Sequence, residues 1–172
     1  MDKLLPGLAM LAFAVVVFAL LAIGWRNRMR RQSDVDALPE VPAELSAPLA
    51  AADGQYVAST TAGDWLDRIA VHNLGIRTNA ELSVHAEGVL FERSGAGPVF
   101  IPAGQLTGVR QDSGMAGKFV EKDGLLVLSW MLGSRELDSG FRTRRAEDKT
   151  TLLTTLQDLI SAAPQADADS GK

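Results

Sequence analysis

LLVLSWML, Leu125–Leu132, is apolar on both faces of an extended chain. Side chains alternate along a strand, so Leu126, Leu128, Trp130 and Leu132 share one face. Leu125, Val127 and Met131 share the other with Ser129. One set belongs to a core. The other is either covered by a neighbouring element or forms an exposed strip that marks a protein interface. That alternative makes Leu125, Val127 and Met131 candidate docking residues.

The pattern extends outward from this strand. The turn Lys122, Asp123, Gly124 separates it from a preceding strand in KFVEK, and RELDSGFRT, residues 135–143, supplies a following one. Upstream, AELSVHAEGVLFERSG alternates at period two on both sides of Ala86-Glu87-Gly88, which reads as a hairpin. PVFIP and QLTGVRQ are further short strands, and the glycine-rich SGMAG is a loop. QYVAST, residues 55–60, opens the domain as a strand. Asp64 as N-cap and Gly75 as stop signal predict a short helix over 65–74. Downstream, EDKTTLLTTLQDLIS, residues 147–161, puts Leu152, Leu153, Leu156, Leu159 and Ile160 on one helical stripe. The expected fold is therefore α+β: an antiparallel β-barrel or sandwich closed by a C-terminal amphipathic helix.

The N-terminal region differs. From Leu4 to Trp25 there is no charged side chain, enough length to cross a hydrocarbon core as a transmembrane helix. Its apolar residues favour insertion by roughly 4–7 kcal/mol. A cleaved signal peptide has a shorter apolar region with positive charge before it. Here the charge follows, at Arg26, Arg28, Arg30 and Arg31. Arginines beside a span stay on the cytoplasmic side. The expectation is a single-pass plasma-membrane protein with its N-terminus outside and its C-terminal domain in the cytoplasm. The same four arginines are candidate contacts for anionic headgroups, each adding about 1 kcal/mol near such a leaflet. The expected domains are an anchor with its arginines over 1–31, a flexible linker over 32–53, the folded domain over 54–163 and a disordered tail over 164–172.

Taken together, GVLFER, VFIPAGQLTGVR, AGKF and LSWMLGSRELDSGFR resemble a group of actinobacterial single-pass membrane proteins. Those carry a bacterial pleckstrin-homology-like (PH-like) domain behind one N-terminal helix, and they are often labelled export or transport proteins. The resemblance covers most of residues 56–160, with 116–142 as its most specific part. It implies a PH-like fold and a membrane-tethered interaction or scaffold role. It also admits an accessory subunit of a membrane transport complex. One span with no ionisable residue inside it cannot line a substrate pathway by itself.

Composition and motifs limit the chemistry. The formal charge of −4 argues against general nucleic-acid affinity. Absence of cysteine removes disulfides, thiolate metal sites and thiol nucleophiles. His72 and His85 have no ligand partner at metal spacing, and both read as solvated structural residues. GMAGK lacks the spacing and the terminal Ser or Thr of a phosphate loop. The pairs Asp64 with Asp67 and Glu136 with Asp138 carry no sign of a catalytic cleft. FRTRR supplies Arg142, Arg144 and Arg145 as candidate docking residues for acidic partners or headgroups. The connection between the first strands, where lipid-binding pleckstrin-homology domains gather basic residues, is not basic here. No catalytic, metal or cofactor site is expected. The expected partners are the bilayer, through residues 4–25, and a protein. The rival reading is a peripheral sensor of anionic lipid headgroups.

Overall fold

The computed structural model describes residues 4–31 and 35–163, and it forms two units, residues 1–34 and 35–172. The expected tail over 164–172 lies outside the described residues, as do Gln32, Ser33 and Asp34 and the side chains of Arg28, Arg30 and Arg31.

The first unit is one helix, α1 (Leu4–Arg31). Its window Gly7–Gly24 has a mean hydropathy of 2.7, and no part of that window is buried. Eighteen residues at about 1.5 Å each approach the thickness of a hydrocarbon core. The helix is thus long and apolar enough to span a membrane.

The described residues of the second unit form ten strands and one α-helix. In chain order these are β1 (Ala50–Thr61), β2 (Asp64–Arg68), β3 (Thr78–His85), β4 (Gly88–Arg93), β5 (Val99–Pro102), β6 (Leu106–Asp112), β7 (Gly114–Met115), β8 (Lys118–Phe119), β9 (Leu125–Leu132), β10 (Arg135–Thr143) and α2 (Ala146–Ala162). The main sheet is antiparallel with order β5-β4-β3-β1-β10-β9-β6, and β2 pairs with β1. The hairpin at 86–88, β10 and α2 stand where the alternation and the leucine stripe put them.

The core lies between one face of the sheet and α2. Trp130, Leu126, Leu128, Tyr56, Phe91 and Phe141 are fully buried, and Leu152, Leu156 and Leu159 of α2 join them. Tyr56 and Phe91 meet edge-on with ring centres 5.3 Å apart. A line of hydroxyls crosses this core. The Trp130 indole donates to Ser139 Oγ at 2.9 Å, Ser139 lies 2.6 Å from Ser59 Oγ, and Tyr56 donates to the Leu74 carbonyl at 3.1 Å. Buried polar groups so paired hold the strands in one register.

Four expectations change. The sheet is open rather than closed into a barrel: β5 and β6 follow one another in sequence but stand at opposite ends. Helix α2 packs across β1, β3, β6 and β10, with Leu152, Leu156 and Leu159 in the core.

The helix expected over 65–74 is instead β2 followed by a single turn at Val71–Asn73. Asp64 Oδ1 does accept the N–H groups of Leu66 and Asp67, as a cap would. The same carboxylate geometry also starts a turn, and here Arg68 pairs with Thr60 of β1. His72 and Asn73 adopt left-handed φ values of 55 and 56°, which no helix tolerates.

Only β8 precedes the turn at 122–124, and it pairs with β7, not with β9. Finally, residues 35–53 belong to the folded unit rather than to a tether. Val35 is buried, Ala50–Asp53 form the first part of β1 against β3, and Ser46 holds the Glu87 carboxylate at 2.8 Å. The alanines that read as linker composition suit a strand whose neighbours stand close.

Candidate interaction surfaces

On the side of the sheet opposite α2, Leu125 and Val127 are each 1% exposed, and they cluster with Val57 and Met115. Met115 comes from the β7–β8 flap, which the sequence presents only as a loop. Its sulfur lies against Gly140 in the middle of β10, where any side chain would occupy the same space. A glycine inside a strand marks such a close approach, and this was the one available signal. Leu125 and Val127 are therefore packed residues rather than an exposed strip, because the flap covers them. Met131 is only half-buried.

The basic run after β10 is divided. Arg142 is paired with Glu121 at 2.7 Å, and its guanidinium holds that carboxyl below the usual range. Arg145 faces Asp148 and Glu147 in the first turn of α2, at 3.3 and 3.2 Å. It is itself the N-cap residue of α2 and makes no side-chain cap hydrogen bond, since a guanidinium can only donate. Arg144 is exposed, and its backbone N–H donates to Asp53 O at 2.8 Å. Arg142, Arg144 and Lys149 line one side of a cleft of about 400 Å³, with Glu121, Gln55 and Asn79 also on its wall. So the structure brings Arg142 and Arg144 together and turns Arg145 away to α2. Of the α1 arginines, Arg26 is exposed.

Two charged groups are set into the domain: Arg93, which the sequence did not single out, and Asp138, which it offered only as half of a carboxylate pair with Glu136. Arg93 is 6% exposed and has no carboxylate partner among the described residues. Its guanidinium donates to the carbonyls of Gly97, Asn73 and His72 and lies 4.9 Å from the Tyr56 ring centre. It ties the left-handed turn to β4. Burial lowers its pKa, and this is opposed by Tyr56.

Asp138, with its side chain 5% exposed, accepts from Arg110 at 2.8 Å and from Ser129 Oγ at 2.6 Å. Burial pushes its carboxyl up, but Arg110 and Ser129 outweigh burial and hold it below its ordinary value. A depressed folded-state pKa gives stability that is present above the unfolded value, about 3.9, and is lost as pH falls through the folded one. Wild type is therefore expected to be more stable than Asp138→Asn at pH 7. The gap in urea midpoints should narrow as pH falls below about 4, and a gap that stays constant would remove Asp138 from this role.

The remaining candidates are accounted for locally. His85 is buried rather than solvated, with Nδ1 2.7 Å from Ser46 O and Nε2 2.9 Å from Ser83 Oγ. His72 is exposed. Among the described residues no group of three His, Cys, Asp or Glu side chains is placed to hold a metal. Asp67 accepts from Thr61 Oγ1, and Glu136 accepts from Thr107 Oγ1. Among the described residues outside α1, six large apolar side chains are exposed, and three of them come together: Trp65, Leu66 and Phe119. The Trp65 and Phe119 ring centres are 5.6 Å apart, and Leu66 borders Gly117 of the flap.

Similar architectures occur in solved structures. A chain of the 8S snRNP assembly intermediate superposes with a TM-score of 0.54 at 8% identity, over 79% of this chain and 98% of that one. This is a likeness of fold. Vav1 inhibited by an allosteric inhibitor gives 0.41 at 18% identity, over 80% of this chain and 32% of that one. The C-terminal domain of an unknown protein from Leishmania infantum gives 0.41 at 11%, over 64% and 84%. No curated protein matches the chain. The bacterial PH domain-like family matches residues 35–157, which is the folded unit nearly from end to end, and the chain belongs to that family.

Proposed function

We propose that this chain is a membrane-tethered, non-catalytic interaction module, with α1 as a single-pass anchor and the PH-like domain presenting a surface to a protein partner in the cytoplasm. The observation that carries this reading is the pairing of two units. One is an apolar helix whose window Gly7–Gly24 reaches a mean hydropathy of 2.7. The other is a domain of a family suited to protein or lipid interaction. In the domain, the acidic side chains considered as reactive pairs each have a local partner, which favours recognition over turnover. Arg26, Arg28, Arg30 and Arg31 follow the span, and the positive-inside tendency then orients the domain inward. Added external protease should leave the domain intact in whole cells and digest it after permeabilisation. Digestion in intact cells would reverse the orientation.

A second reading, a sensor of anionic headgroups, draws on the cleft with Arg142, Arg144 and Lys149. Glu121 already occupies Arg142, so a phosphate must compete with a carboxylate. Flotation of the fragment 35–163 with anionic liposomes separates the two readings. The interaction-module reading expects no salt-sensitive binding by that fragment; strong binding lost on raising salt favours the sensor.

A further inference from the structure

We infer that Trp65, Leu66 and Phe119 form a patch that dips into the membrane interface and fixes how the domain rests on the bilayer. This deepens the tethered-module reading and depends on it.

Three separate pieces of chain build the patch. Trp65 and Leu66 bulge out of β2, where two residues of β1, Thr60 and Thr61, face the stretch from Asp64 to Arg68. Phe119 comes from β8. The pieces are fixed to one another: the Ala116 N–H donates to Trp65 O at 2.8 Å, and the Arg68 guanidinium donates to Gly75 O and Ala116 O at 3.3 and 3.1 Å. Met115 pins the flap from beneath. These hydrogen-bonded pieces carry side chains that are 42% (Trp65), 60% (Leu66) and 79% (Phe119) exposed. An isolated exposed leucine needs no explanation, but a contiguous aromatic and aliphatic group on ordered turns does.

The occupant follows from chemistry and chain length. Trp with Phe and Leu is the composition that settles at the boundary between headgroups and acyl chains. Arg77 is exposed and lines a shared recess with Phe119, in which the Glu121 carboxylate is already paired with Arg142.

Only residues 32–34 separate the end of α1 from Val35, and that length reaches about 14 Å at full extension. A domain on so short a lead meets the bilayer at high effective concentration, so a small apolar patch suffices. The lead also joins the domain at a particular end. Asp36 sits against Gly133 in the β9–β10 turn, and that turn neighbours the β1–β2 turn through Ala62 N–H donating to Glu136 O at 3.0 Å. Trp65 follows that second turn within two residues of Gly63. The patch thus begins at the end of the sheet where the chain arrives. Because the contact is apolar, it requires no particular headgroup.

The tryptophans make the test. The full chain is placed in phosphatidylcholine nanodiscs whose lipids carry a quencher at a shallow acyl position. Trp25→Phe leaves Trp65 and the fully buried Trp130; Trp65→Phe leaves Trp25 and Trp130 while keeping an aromatic ring beside Phe119. The inference expects Trp25→Phe protein to lose emission and shift to the blue in quencher discs, equally in zwitterionic and anionic lipid. If Trp65→Phe protein is quenched and Trp25→Phe protein is not, the anchor stands and the patch proposal is overturned. If neither is quenched, the anchor reading itself fails and takes the patch with it. Quenching confined to anionic discs, or a photo-crosslinker at Phe119 that joins a protein instead of lipid, also overturns the proposal.

Discussion

A fragment that begins at Gly54 is expected not to fold, whereas one that begins at Val35 is expected to fold cooperatively. Starting at Gly54 deletes four of the seven residue pairs between β1 and β3, namely Ala50 with Val84, Ala51 with Ser83, Ala52 with Leu82 and Asp53 with Glu81. Each ladder hydrogen bond contributes about 1 kcal/mol net, and a buried group left without its partner costs about 1–3. The deletion also removes Val35, whose burial contributes roughly 1.5–3 kcal/mol. The contacts of Ser46 with Glu87, His85 and the Ala86 N–H go as well. Domains of this size are stable by only about 5–15 kcal/mol, so these losses are comparable with the whole. Circular dichroism and urea unfolding of 35–163 and 54–163 decide the matter. A sharp unfolding transition in the shorter fragment would return residues 35–53 to the status of linker.

Trp130→Ala is expected to destabilise the 35–163 fragment by about 3–5 kcal/mol, read as a lower urea midpoint with little change in slope. Trp130 is fully buried and pairs with Leu137 of β10 and Leu106 of β6, so it joins three strands. Truncation leaves a cavity and takes away the donor to Ser139. Trp130→Phe shifts the balance between the two effects: it loses the N–H bond but only part of the buried volume, so a smaller loss of about 1–2 kcal/mol is expected. Equal losses from both variants would mean that the hydrogen-bond line, and not packing, holds this part of the core.

Regular elements were legible because their signals are local. RELDSGFRT, expected as a strand, returns as one over Arg135–Thr143, and the leucine stripe near the C-terminus returns as α2 with Leu152, Leu156 and Leu159 buried. Leu126, Leu128 and Trp130 were fixed as a shared face by period two alone.

What failed depended on distant partners. Asp64 supplies the same turn-starting hydrogen bonds whether a helix or a strand follows, and β1 decided for the strand. The flap could not be read from SGMAG because its anchor is a methionine seated against a glycine 25 positions later in the numbering. Residues 35–49 carry the composition of a linker, yet Val35 and Leu38 pack on the core, Ser46 bonds Glu87 and His85, and the Leu49 N–H donates to Val84 O. Of the candidate docking residues, the arginines of FRTRR were visible as charges, but the pairing of Arg142 with Glu121 and of Arg145 with Glu147 and Asp148 was not. Period two put Arg93 on one face with Val89 and Phe91, but its partners, being backbone carbonyls, gave no signal.

The account turns on α1 remaining in the chain and in the bilayer beside a folded domain. Alkaline extraction of membranes, followed by intact-mass measurement of the recovered protein, tests this directly. The expected result is a full-length chain that stays with the membrane pellet, while a version starting at Val35 is recovered soluble and folded. A soluble native protein shortened near Trp25 would contradict the account.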